Sequence, residues 1–341
     1  MRILVTGGLG VNGCWVVREL IEKGHTPVIY DNRSDFSLLP DLSGELNLVV
    51  GDVLDFANVI RAVKENNIDR ICHLAAVYPD AADANPLQGF QINAMSTVYM
   101  LEAARIMDCD RVVFTSSVGA LGPLTDEYLY PTLKPVGEDV PAYPMKAVYS
   151  ASKVASELMG LNYKNLYGIG FVALRYAAIF GMGKKDPRHG LHNILWIQMV
   201  ENALLGIPTV LEHGGDEIMD MTYARDVAHS VVCGVLAEPT PEHHVFHIGS
   251  GRRYTVKQFA DAVRAAIPGA QIEIGDGRDP RNMGPRAYYV MDISRATKEL
   301  GYEPQFTLEE AIKDWVMWMD RLGIQPTAIP SAGGQGGSFS R

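Results

Sequence analysis

The stretch Thr6-Gly7-Gly8-Leu9-Gly10-Val11-Asn12-Gly13 (TGGLGVNG) decides the fold. It follows the short apolar run Ile3-Leu4-Val5. Gly7, Gly10 and Gly13 are evenly spaced, and Gly8, Gly10 and Gly13 match G-x-G-x-x-G. A side chain at such positions stops the backbone from approaching a pyrophosphate, and the turn calls for positive φ. The pattern behind it reads as a helix from Gly13 to Lys23, with apolar Trp15, Val16, Leu20 and Ile21. That helix would aim its free N–H groups and positive dipole end at the anion. A glycine-rich turn with no ligand has the same local sequence, so the surroundings must decide.

Those surroundings alternate. Ile3–Val5, Val28–Tyr30, Leu48–Val50, Arg70–Leu74, Arg111–Phe114 and Gly170–Leu174 read as strands. Helical patterns lie between them at 13–23, 57–65, 93–107 and 149–167. The strands are continuous apolar runs, the mark of parallel strands buried on both faces. The alternation predicts an α/β fold with a doubly wound parallel sheet of the Rossmann type. After Gly181 the rhythm breaks. Helices are expected at 195–205, 225–237, 256–267 and 308–322, and strands at 209–211 and 245–248. The expected organisation is a Rossmann domain over 1–180, to which a segment near 223–250 returns. A smaller mixed C-terminal substrate domain over 181–325 is interleaved with it. The tail over 326–341, rich in Gly, Ser and Pro, is expected to be disordered.

Composition narrows the partner. The chain has 341 residues, 47% hydrophobic and 21% charged, the mix of a soluble globular protein. A net charge of −10 argues against nucleic acid and against an anionic membrane surface. Cys14, Cys72, Cys109 and Cys233 form no C-x-x-C pair, so neither a zinc knuckle nor a redox dithiol is suggested. No signal sequence or spanning apolar run is read, which makes the cytoplasm the simplest address. A small-molecule substrate remains.

Asp31 ends the second strand. A carboxylate there accepts hydrogen bonds from an adenosine ribose and repels a 2′-phosphate, which favours NAD over NADP; the nearby Arg33 leaves room for residual NADP use. Asp52 follows the third strand in GDV, where such folds meet the adenine; the plain alternative is a solvated strand-end carboxylate. Tyr149 and Lys153, in YSASK, are four apart at the start of a helical run and so share a face. A phenol titrates near 10. A nearby ammonium and an oxidised nicotinamide favour its phenolate, the form a base requires. Tyr130 and Lys134 have the same spacing, but Pro131 and Pro135 deny them a regular helix. Ser116 and Ser117, in FTSS at the end of the fifth strand, are both candidates for hydrogen-bonding the substrate oxygen.

YDN at Tyr30, HLAA at His73, INA at Ile92, LRYAAIFG ending at Gly181, YARDVA at Tyr223, HIGSGRRYTV at His247 and DISRATKELGYEP at Asp292 complete an ordered set. With these motifs the chain resembles an extended short-chain dehydrogenase/reductase of the NAD-dependent epimerase/dehydratase family, over nearly its whole length. The resemblance implies Tyr149 as acid/base, Lys153 on the nicotinamide ribose and Ser117 as the hydroxyl partner, with Ser116 or Thr115 assisting. It implies NAD contacts from Gly7, Gly10, Val11, Asn12, Gly13, Asp31, Asn32, Asp52, Val53, Leu74, Ala75, Ala76, Asn93 and Tyr176. It also implies a homodimer formed through two helices of the first domain.

The substrate side departs from UDP-galactose 4-epimerase-like members. Those carry an asparagine after LRYF and an arginine before the D-hydrophobic-A helix, both serving the nucleotide diphosphate. Here the matching positions hold Ala178 and Met219. Arg278, Arg281 and Arg286 are candidates for a later arginine of that site. Arg188, His189 and Asn193, in a basic stretch with Lys184, Lys185 and His192, are expected to bind a smaller polar or anionic group; a solvated loop is the alternative. No acidic or cysteine partner stands beside the two histidines, so no metal is expected. Dehydratases of the family place Thr-Asp-Glu where this chain has TSS; Thr125-Asp126-Glu127 comes too late. The expected activity is therefore NAD-dependent hydride transfer at a secondary alcohol of a sugar, sugar acid or related hydroxy compound, by a dehydrogenase. An epimerase with tightly bound NAD and a non-catalytic NAD-binding regulatory protein are the alternatives.

Overall fold

The computed structural model describes residues 1–122, 124–141, 147–183, 195–280, 282, 284 and 289–328. Its first half runs β1 (Arg2–Thr6), α1 (Gly13–Glu22), β2 (Thr26–Asp31), β3 (Asn47–Val50), α2 (Phe56–Glu65) and β4 (Arg70–His73). Next come the short helices α3 (Pro79–Ala84) and α4 (Pro86–Phe90), a π-helical turn (Gln91–Met95) and α5 (Ser96–Ile106). Then follow β5 (Arg111–Ser117), α6 (Val148–Tyr167), β6 (Gly170–Tyr176) and β7 (Ala178–Phe180). The second half runs α7 (Leu195–Leu204), β8 (Thr209–Leu211), β9 (Ile218–Met219), β10 (Met221–Tyr223), α8 (Ala224–Leu236), β11 (Val245–Ile248) and β12 (Tyr254–Thr255). It closes with α9 (Val256–Ala266), β13 (Ile272–Ile274), α10 (Ser294–Leu300) and α11 (Leu308–Arg321).

Seven strands form one sheet in the order β11-β6-β5-β4-β1-β2-β3, every pair parallel. The strand order reverses between β1 and β4, and in such sheets that point opens a crevice at the strands' carboxyl ends. Strand β11 joins the sheet beside β6. Both sheet faces are covered, which explains the unbroken apolar runs. Ile3 and Val5 point into one core with Trp15 and Val16 of α1 and Val227 and Val231 of α8. Leu4, between them, points into the other with Val59 of α2 and Met100 and Leu101 of α5.

One polar chain crosses the carboxyl end of the sheet. Glu157 on α6 and Arg175 on β6 are each under 5% exposed and form a bidentate pair, Nε–Oε1 2.9 Å and Nη2–Oε2 2.7 Å. Ser116 Oγ donates to Glu157 Oε1 at 2.5 Å. A buried carboxylate needs such partners, because desolvation costs it more than one charge contact returns. Arg175 also approaches His247 Nε2 at 3.5 Å, and His247 Nδ1 faces the Val136 carbonyl at 2.9 Å. Helix α6, which carries Tyr149 and Lys153, is thus bolted to β5, β6 and β11.

Candidate active site

A cleft of about 640 Å³ opens along the carboxyl ends of β1, β2, β4, β5 and β6. The structure brings together along it Gly7, Gly10, Val11, Asn12 and Gly13, then Asp31, Asn32, Asp52 and Val53. Leu74, Ala75, Ala76, Ser117, Tyr149, Lys153 and Tyr176 line the rest of its wall. Two expected residues are placed elsewhere. Asn93 sits behind the wall: its Oδ1 accepts the Val77 N–H at 2.8 Å and its Nδ2 donates to the Val77 carbonyl at 2.9 Å. Both ends of its amide are thus engaged by the loop after β4. Ala178 pairs with Met221 in a two-stranded ribbon, while its neighbours Ala177 and Ile179 line the cleft. Arg188, His189 and Asn193 lie outside the described residues.

The glycine turn fits a pyrophosphate. Gly7 has φ +68°, and a Cβ there would stand 3.0 Å from the Ala75 amide nitrogen. A Cβ on Gly13 would lie 2.1 Å from the Gly7 carbonyl oxygen, closer than real atoms approach. No side chain caps α1; the Cys14 N–H goes to the Gly10 carbonyl at 2.9 Å, and the positive end of the helix faces the turn. Asn12 Oδ1 is buried with no hydrogen-bond partner among the described residues. At the other end Asp31, 6% exposed, takes the Leu9 N–H at 3.1 Å and the Arg33 N–H at 3.2 Å. The carboxylate is fixed at the cleft wall with lone pairs left for ribose hydroxyls. Arg33 leans on it, Nε–Oδ1 3.8 Å.

His73 has a role beyond its place in a motif. Ser96 Oγ gives its proton to the Ile92 carbonyl, so it accepts from His73 Nε2 at 2.8 Å. His73 Nδ1 then accepts the Thr6 hydroxyl proton at 2.7 Å, and Thr6 Oγ1 in turn accepts the Leu74 and Ala75 N–H groups at 3.1 and 3.2 Å. Every donor has an acceptor, and the Leu74 N–H is shared between Thr6 Oγ1 and the Thr6 carbonyl. The ring is held neutral, pushed down to about 3 by burial and by Lys153. This closed set ties the end of β1 to the loop after β4, the two lips of the cleft. Polar residues inside apolar strands were its only sequence signal.

At the far end stand the groups able to move a proton. Lys153, 2% exposed, donates from Nζ to the Thr115 carbonyl at 2.7 Å and lies 5.4 Å from the Tyr149 ring. Burial pushes its pKa down to about 7, against a pull upward from Glu157 one turn on. Burial also pushes the Tyr149 phenol up, Tyr78 adds to that, and a hydrogen bond with Ser117 draws it back. Ser117 Oγ accepts the Gly119 N–H at 3.0 Å. Of the two serines, Ser116 is engaged with Glu157, which leaves Ser117 beside the phenol. Tyr78, which lines the cleft and is pushed up to about 12 by burial, was missed in the sequence because nothing in its local pattern marks it. Among the described residues, no group of three or more His, Cys, Asp and Glu side chains is placed to hold a metal ion.

A lysine depressed by burial destabilises the fold. The folded value is about 7 against an ordinary 10.5, so the penalty is full below about pH 7 and fades as pH rises towards 10.5. Lys153→Met is therefore expected to raise the melting temperature of the nucleotide-free protein at pH 6.5. The gain should shrink at pH 9.5. A variant less stable than the parent at both values would contradict this balance.

The comparisons agree with this geometry. Residues 3–249 match the model of the NAD dependent epimerase/dehydratase family. The chain is 30% identical over 317 residues to a UDP-glucose 4-epimerase of Mycolicibacterium smegmatis, covering 92% of this chain and 96% of that one. It is 26% identical over 334 residues to a UDP-glucose 4-epimerase of Corynebacterium glutamicum, covering 95% and 97%. The solved UDP-glucose 4-epimerase of Thermotoga maritima, with UDP-glucose, superposes with a TM-score of 0.79 at 25% identity, over 94% of this chain and 99% of that one. With the family model matched over residues 3–249 and a glycine turn, Asp31 and the Tyr149–Lys153 pair on one cleft, the chain belongs to the NAD-dependent epimerase/dehydratase family, with NAD as its cofactor.

Proposed function

We propose that the chain is a dehydrogenase that oxidises a secondary alcohol of a sugar, sugar acid or related hydroxy compound and releases the ketone. The observation that carries this reading is the apolar pair Ala178 and Met219, standing where the family resemblance implies an asparagine and an arginine on a nucleotide diphosphate. Met219 is 7% exposed and belongs to the apolar core, and Ala178 packs against that core. Charge-assisted bonds are among the strong ones, and these two positions offer none.

Tyr149 accepts the proton of the substrate hydroxyl, and Ser117 holds that oxygen while it changes from alcohol to carbonyl. Lys153 sets the phenol's protonation and, with its ammonium protons, orients the ribose next to the reacting carbon. Bound NAD supplies the hydride acceptor and, when oxidised, a positive charge that favours the phenolate. Asn93 and His73 hold the cleft's lips, and residues 181–325 supply the substrate side. A 4-epimerase is the second reading, favoured by the names of the relatives; it would use the same Tyr149, Ser117 and Lys153 but return the hydride before the ketone leaves. Exposed Leu158, Leu166 and Tyr167 on α6, 55%, 70% and 54% exposed, support a homodimer through that helix.

Stripped of nucleotide and supplied with NAD, the protein is expected to form NADH stoichiometrically with a free sugar or sugar acid. Tyr149→Phe should lower kcat by about 10²–10⁴-fold. Interconversion of UDP-sugars without net NADH would overturn the dehydrogenase reading in favour of the epimerase. Activity untouched by Tyr149→Phe would return the chain to a regulatory role. Light scattering should give twice the 37.4 kDa chain mass, and a monomer at micromolar concentration would refute the dimer.

A further inference from the structure

Helices α1 and α8 pack against each other, and their contact holds a second group of reactive side chains, none of which lines the cleft. His229 and Cys233 are four apart on α8 and share a face. Cys233 Sγ lies 3.4 Å from His229 Nε2. The other ring nitrogen, Nδ1, lies 2.8 Å from Oε1 of Glu19 on α1. Thiol, imidazole and carboxylate are in sequence, with Glu19 on Nδ1 and the sulfur nearer to Nε2, a nitrogen that the Gln305 side-chain amide also approaches at 3.4 Å. That is the order in which an activated nucleophile is built: attacking atom, base, and a group that orients the base. A second cavity of about 260 Å³ adjoins the cluster and is lined in part by Glu19, Ala228 and Gln305.

The cysteines differ in access. Cys14, Cys72 and Cys109 are buried, while Cys233 is only partly so. Glu19 of α1 faces the imidazole, and Lys23 Nζ lies 3.7 Å from Glu19. Asp226 of α8 acts on it from its own helix. Tyr302 and Gln305 close the far side, the Tyr302 ring 6.1 Å away and Gln305 Nε2 3.4 Å from His229 Nε2. Burial alone would push the imidazole down; the Cys233 and Glu19 contacts outweigh it and raise it to about 10.

We propose that Cys233, His229 and Glu19 form a nucleophilic thiol site, at which Cys233 is modified by low-molecular-weight disulfides. His229 Nε2 takes the thiol proton. The Cys233 thiolate attacks one sulfur of the disulfide, a new S–S bond forms to Cys233, and the original S–S bond breaks. The departing thiolate collects the proton from His229. Cys233 is oxidised and the departing sulfur reduced, so electrons balance within the exchange.

The test is the alkylation rate of Cys233 by iodoacetamide between pH 5.5 and 9, read by peptide mass spectrometry on the folded full chain. The wild-type rate is expected to stay high down to about pH 6.5, where it should exceed that of His229→Ala by about tenfold, with Glu19→Gln between them. Oxidised glutathione should add to Cys233 and leave the three buried cysteines free. A wild-type profile rising only around an ordinary thiol value of about 8.5 would overturn the proposal, and that result needs no variant to fold. So would equal rates in wild type and a folded His229→Ala protein.

Discussion

Main chain packs on main chain where β1 turns into α1. Gly13 comes so near the Gly7 carbonyl that no side chain fits between them, and Gly7 in turn abuts the Ala75 backbone after β4. This contact sets where α1 begins, how closely the loop after β4 approaches and therefore how wide the crevice is. The Thr6–His73–Ser96 set fixes the same junction from beneath through hydrogen bonds that leave no donor spare. A neutral histidine suits that place, since a second charge near Lys153 in a dry interior would be costly.

The catalytic end works by opposed tendencies. Burial disfavours the charged forms of both Tyr149 and Lys153, the phenolate and the ammonium, which are the forms the proposed reaction uses. Each charge becomes affordable only beside its complement. Glu157, held by Arg175 and Ser116, stands one turn beyond Lys153 and pulls it towards its charged form without touching the substrate. The same bolt engages Ser116 and leaves Ser117 beside the Tyr149 phenol.

Much of this was legible in the sequence because it rests on local pattern. Continuous apolar runs gave the six long parallel strands, and the spacing of Tyr149 and Lys153 placed both on one helical face. The strands β7, β9, β10, β12 and β13, each of two or three residues, were not legible, and of the equally short strands only β8 was read. The pattern over 93–107 read as one helix, but its first residues belong to a π turn that spacing alone does not reveal. Local sequence could not separate Ser116 from Ser117, since only the distant Glu157 distinguishes them. Nor could it foresee that Asn93 would spend both ends of its amide on Val77, or that α1 would bring Glu19 to His229 and Cys233 of α8.

The central claim is that the cradle and Asp31 together make a site for NAD. Calorimetric titration of the nucleotide-free protein with NAD and with NADP, at one ionic strength, tests it most directly. A buried carboxylate at the ribose predicts NAD binding at least about a hundredfold tighter, the preference falling when Asp31 is replaced by Asn. Equal or tighter binding of NADP would contradict the account.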